Sequence, residues 1–185
     1  MKKIFLFCVL ITFLFLGYLN AEPFDHPSAY VDKGTCPFEC CVYRTWGVTK
    51  DTVLYAKPDK KFRIIGKCKK GSKVSAITGE VHTMAGKFTV KRKFETYMPG
   101  DIIWVYTYQG EGNFKVWKDG KFVELNLAFS PYGGSSGKRC ETDKSCAGEL
   151  EKELESTWWI KIKTPDGTIG WTFESSNFRG NDICG

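Results

Sequence analysis

From Cys41 onward the chain is a series of short apolar runs punctuated by turn residues. Val42, Tyr43, Trp46 and Val48 are β formers, and VLYA at 53–56 is closed by a turn at Pro58-Asp59. Ile64 and Ile65 lead to Gly66, and Lys69-Lys70-Gly71 turns the chain into KVSAIT. There Val74 and Ala76 share one face of a strand, and Ser75 and Ile77 share the other. KFTVKRKF at 87–94 and IIWVYTY at 102–108 continue the pattern on either side of Pro99-Gly100-Asp101. In FKVW-KDGK-FVEL, Asp119-Gly120 sits between two β-type runs and predicts a type I′ hairpin. Residues 128–146 read as a Gly/Ser-rich loop, and roughly Ala147–Glu155 as a short helix, with Leu150 and Leu154 at i, i+4. In WWIKIK, Trp158, Ile160 and Ile162 take one face, and Trp159, Lys161 and Lys163 the other. Pro165-Asp166-Gly167 then turns into TIGWTF. About eight strands at regular spacing with one short helix predict an all-β antiparallel barrel or sandwich.

The N-terminus breaks this pattern. Met1–Ala21 places Lys2 and Lys3 before an unbroken apolar run and ends on Asn20-Ala21, the layout of a secretory signal. The run is short for a bilayer span, which needs about 20 residues. The expectation is a signal peptide at 1–21, a single domain at 22–185, a periplasmic or secreted location, and no membrane span after cleavage. The whole chain of 185 residues carries a formal charge of +6. Losing Lys2 and Lys3, with no acid in that stretch, leaves +4 on the exported part. That is too weak to point to nucleic acid, which calls for Lys and Arg clustered on one face.

Export changes how the cysteines read, because thiols tend to pair outside the cytosol. The disulfide candidates are Cys36, Cys40, Cys41, Cys140, Cys146 and Cys184. Cys140 and Cys146 bracket a short polar loop, and CPFECC at 36–41 is placed to reach Cys184 and staple both ends of the domain. Connectivity stays open. Cys68 is the expected free thiol, buried in a strand as a small hydrophobe. The zinc-knuckle and redox spacings are absent, so no metal and no cofactor is expected. His82 is the one histidine inside the core region that could partner a catalytic cysteine.

Two segments resemble the bacterial SH3-like (SH3b) family: DTVLYAKPDKKFRIIGKCKKGSKVSAIT at 51–78 and TWWIKIKTPDGTIGWTF at 157–173, with Gly170-Trp171 the most recognisable pair. The resemblance implies an SH3-like barrel with halves at about 42–78 and 157–182. Residues 79–156 are then a large insertion carrying its own strands and hairpin. It also implies an extracytoplasmic binding module.

The ligand-binding candidates are aromatic. Alternation on 102–108 puts Ile103, Val105 and Thr107 on one face, and Trp104, Tyr106 and Tyr108 on the other, as a ligand platform or as inter-sheet packing. Tyr55 lies beside the Pro58 turn, and Trp159 lies opposite the Ile160–Ile162 face, where it is expected to be exposed beside Lys161. Glu149, Glu151, Glu153 and Glu155 read as a solvated helix face, and the Gly-rich SPYGGSSGK fails the phosphate-loop spacing. No catalytic constellation stands out. The function expected is an exported, non-catalytic binding or scaffold protein of the cell envelope, whose partner is a cell-wall polymer or an envelope protein. The alternative is a thiol-dependent hydrolase or redox protein using a cysteine with His82.

Overall fold

A computed structural model describes residues 26–38, 40–127, 147–152 and 154–184. The expected signal segment and the loop holding Cys140 and Cys146 lie outside these residues. In chain order the strands are β1 (Ala29–Lys33), β2 (Thr45–Val48), β3 (Thr52–Tyr55), β4 (Ile64–Cys68), β5 (Lys73–Met84), β6 (Gly86–Val90) and β7 (Ile102–Gly110). They continue with β8 (Asn113–Lys118), β9 (Lys121–Asn126), β10 (Gly148–Lys152), β11 (Glu155–Lys163), β12 (Ile169–Thr172) and β13 (Phe178–Arg179), and one 3-10 turn, Ser175–Asn177, precedes β13. Among the described residues no helix is long and apolar enough to cross a membrane.

The strands build two antiparallel sheets that curl into a half-barrel. The first has the order β13-β2-β5-β11-β12-β3-β4, with β1 also paired to β5; the second has the order β10-β6-β7-β8-β9. β5 passes into β6 through Ala85 alone, and β10 and β11 follow the same course alongside, so the two sheets join along two bent strands. Each sheet has its own hydrophobic cluster. Trp46, Leu54, Val74, Ile160, Ile162 and Phe178 fill the first, and Phe88, Ile103, Val105, Phe114, Val116 and Leu127 fill the second. The expected insertion at 79–156 thus contributes the second sheet together with the second half of β5 and the first two residues of β11.

Alternation explains most of the packing. Val74 and Ala76 are buried while Ser75 and Ile77 are exposed. One residue later the phase changes. Lys161 pairs with Thr78 but Ile162 with Ala76, so Ile77 is the extra residue of a bulge, and from Gly79 the odd-numbered residues of β5 point inward. At Asp119-Gly120 both residues have positive φ (50° and 77°), as a type I′ turn requires, and Lys118 faces Lys121 across it. Gly170 packs so closely that a β-carbon there would lie 2.8 Å from Leu54 Cβ and 3.1 Å from the Tyr55 carbonyl oxygen.

The helix expected over Ala147–Glu155 does not form. Gly148–Lys152 is a strand on the edge of β6, and Glu155 opens β11. A helix of one or two turns is marginal alone, whereas the β6 edge pairs Gly148, Glu149, Leu150 and Lys152 in an antiparallel ladder. Leu150 packs against the second cluster, and the glutamates find cross-strand lysines, Glu151–Lys87 at 2.8 Å and Glu149–Lys91 at 3.5 Å.

Cys36 is bonded to Cys41 and Cys40 to Cys184, so the CPFECC segment does reach the C-terminal end. Cys68 is the free cysteine among the described residues, and it is buried.

Candidate functional site

Between the two sheets runs an open cleft of about 510 Å³. One wall is the segment that leaves β1: Asp32, Thr35, Cys36, Pro37 and Phe38. The other is the far end of β7: Tyr108, Gln109 and Gly110. A deeper hollow of about 180 Å³ shares Asp32, Thr35 and Tyr108, and it is floored by Val81, Tyr106, Thr107, Ser156 and Trp158.

Both walls are held in place by specific contacts. Gly34, at φ 76°, turns the chain out of β1, and its amide donates to the Gly79 carbonyl at 2.8 Å. The Tyr43 hydroxyl donates to the Thr35 carbonyl and accepts from the Trp158 indole at 3.1 Å. Burial raises the Tyr43 pKa, with the Trp158 hydrogen bond working in the opposite direction, so this hydroxyl stays neutral and keeps its donor role. The Cys36–Cys41 disulfide closes the loop, and Phe38 stands edge-on to Trp158 with ring centroids 5.8 Å apart. The pinned wall presents apolar rings beside the Asp32 carboxylate.

The β7 wall depends on a bulge. Val105 faces Val116 but Tyr108 faces Phe114, three residues of β7 against two of β8. This corrects the expectation that Trp104, Tyr106 and Tyr108 share a face: Trp104 and Tyr106 do, on the side of Trp117 and Phe122, but Tyr108 does not. The extra residue buries both Tyr106 and Thr107 and turns Tyr108 to the Phe114 side, where it lies 5.2 Å from that ring and remains 40% exposed at the cleft rim. The Tyr108 hydroxyl accepts from the Gly112 amide at 3.3 Å, which fixes the rim. Tyr106 is fully buried. Its hydroxyl donates to the Pro27 carbonyl, its ring packs on Phe122 at 5.0 Å, and burial pushes its pKa up to about 12.

The remaining candidates lie elsewhere. Trp104 is half-buried farther along the face it shares with Tyr106, outside the cleft lining, with His26 stacked on it at 3.6 Å. Tyr55 and Trp159 do meet, at 5.7 Å on the outer face of the first sheet, where Phe173 adds a third ring 5.2 Å from Trp159. There Trp159 is only 4% exposed, because Tyr55, Phe173 and His82 crowd around it, so the expectation of an exposed Trp159 fails. Of the five, Tyr106 and Tyr108 line the cleft.

Sequence reasoning missed Phe38, Trp158, Asp32 and Gln109 as cleft residues. Phe38 carried a usable signal, an aromatic inside a run of cysteines with no strand partner to bury it. The other three become wall and floor only through pairing between distant strands.

For chemistry, Cys68 is 1% exposed, and burial, with the Asp166 charge adding to it, pushes its thiol up to about 11. His82 sits on the outer face with Nε2 3.0 Å from Glu80 Oε2. Cys40, Asp182 and Cys184 cluster at metal-like spacing, but the two sulfurs are bonded to each other and so offer no thiolate. Against protein-family models, curated proteins and solved structures, the chain matches none.

Proposed function

We propose that this is an exported, non-catalytic binding protein of the cell envelope that takes a short peptide or glycan segment of the wall in the inter-sheet cleft. The observation that carries the reading is the cleft itself. Its volume falls within the range of small-ligand sites, roughly 300–1,000 Å³, and it sets aromatic faces beside a few polar groups. Phe38 and Tyr108 supply apolar faces for a sugar ring or a side chain, while Asp32, Gln109 and Thr107 supply donors and acceptors. The disulfide-pinned wall lowers the ordering cost of binding. The two paired disulfides are compatible with an oxidising location outside the cytosol, and the SH3b-like segments at 51–78 and 157–173 add to the binding-module reading. The thiol-enzyme alternative gains nothing from Cys68, whose thiol is buried and held protonated at neutral pH.

The test is calorimetric titration of soluble wall fragments into wild type, Tyr108→Ala and Gln109→Ala. Tyr108→Ala removes the exposed ring of the rim and is expected to weaken binding about tenfold or more, from roughly 1.5–3 kcal/mol of apolar contact. Equal affinity in wild type and both variants, or no heat from any fragment, would refute the cleft as the site.

A further inference from the structure

The loop joining β3 to β4, AKPDKKFR at 56–63, is a tight tip. Ala56 N donates to Arg63 O at 3.0 Å and Phe62 N to Asp59 O at 3.1 Å. It carries Lys57, Lys60, Lys61 and Arg63 against one acid, Asp59, and that carboxylate already accepts from the Lys61 amide at 2.8 Å. Among the described residues none of the four cations has a carboxylate within 4.0 Å, so four uncompensated charges fall within seven residues of one tip. Two of the unpaired ammonium groups lie over rings instead, Lys57 over Phe62 at 4.6 Å and Lys60 over Phe173 at 3.9 Å. Amid these charges two apolar side chains face water: Phe62 is 39% exposed and Ile64 is 58% exposed. None of these residues lines the cleft.

We infer that this tip docks the protein on an anionic phospholipid surface. The uncompensated cations call for a negatively charged occupant. The exposed Phe62 and Ile64 select among such occupants, because a soluble polyanion offers apolar side chains nothing, whereas a bilayer offers headgroup phosphates above hydrocarbon. Lys57, Lys60, Lys61 and Arg63 lie at phosphate depth, and Phe62 enters the boundary below them. This is peripheral docking, separate from the ligand reading of the cleft, and neither depends on the other.

The test is co-sedimentation of the exported protein with phosphatidylcholine vesicles, with and without about 30% phosphatidylglycerol. Every variant is prepared with the same N-terminus, so that any contribution of the leader cancels. Wild type is expected to bind the anionic vesicles and to be released by salt. Each charge removed weakens partitioning about fivefold, so Lys60→Ser/Lys61→Ser/Arg63→Ser binds about a hundredfold more weakly. Phe62→Ser loses about tenfold or more. Lys69→Ser/Lys70→Ser, at the other end of β4, leaves binding nearly unchanged. All the positions are exposed. Should the triple variant not fold, Lys60→Ser/Lys61→Ser gives the same readout at about a twenty-five-fold loss. The inference is overturned if the tip variants sediment like wild type, or if the Lys69/Lys70 variant loses as much as the Lys60/Lys61 one. It is likewise overturned if Phe62→Ser has no effect while soluble polyphosphate strips the protein from the vesicles, which would assign the tip to a soluble polyanion.

Discussion

Replacing Cys40 and Cys184 together by serine opens a loop of 144 residues, while the matching change at Cys36 and Cys41 opens one of 5. In the chain-entropy account a disulfide acts on the unfolded chain, with a term that grows as the logarithm of the loop length. For the long loop this gives about 5 kcal/mol at room temperature, and for the short one about 2 kcal/mol. Packing losses do not blur the comparison, because Cys36, Cys40 and Cys41 are half-buried and Cys184 is exposed. Removing both partners of each pair also leaves no stray thiol to exchange. Guanidinium unfolding without reductant is therefore expected to show the Cys40/Cys184 variant losing about two and a half times as much stability as the Cys36/Cys41 variant. The long loop also ties down β13, which pairs with β2 at the sheet edge, so amide exchange at Phe178 and Arg179 is expected to accelerate in the first variant alone. Equal losses for the two pairs, or a larger loss from the short loop, would refute loop closure as the mechanism. Stabilisation would then reside in native contacts of the 36–41 wall.

Gly170→Ala forces a β-carbon against Leu54 Cβ and the Tyr55 carbonyl, backbone-bound atoms that cannot swing away. A loss of about 1–3 kcal/mol or more is expected from denaturant midpoints, and a neutral result would mean that β3 and β12 are not packed as described. The Cys68 thiol is expected to resist alkylation in the native protein and to react once the chain is unfolded, read by mass spectrometry. Its pKa is raised from 9.0 to about 11, mainly by burial. The stability it contributes is therefore fully present below about pH 9 and is lost as the pH rises toward about 11. Cys68→Ala should flatten that alkaline decline, and an identical decline in both proteins would count against the assignment.

Several features were legible because they are local. The type I′ turn at Asp119-Gly120 follows from two residues that tolerate positive φ. The split of Trp158, Ile160 and Ile162 from Trp159, Lys161 and Lys163 follows from the period of two in β11. The buried, unpaired Cys68 follows from its place in an apolar strand.

What the sequence left open was decided by choices between distant partners. Whether Gly148–Lys152 becomes helix or strand depends on the β6 edge being vacant beside it, a fact outside those residues. The bulges at Ile77 in β5 and between Val105 and Tyr108 in β7 are settled by the strand opposite. Each flips every side chain beyond it to the other face, which is why Tyr108 left the face that Trp104 and Tyr106 share and reached the cleft rim. Trp159 lies on the outer face, as its alternation requires, yet it is buried, because exposure depends on the rings that Tyr55 and Phe173 bring over it from other strands. Period and turn chemistry determined the elements of this protein. The cleft exists only because register, bulges and disulfide partners, fixed by contacts far apart in sequence, bring the end of β7 against the loop after β1.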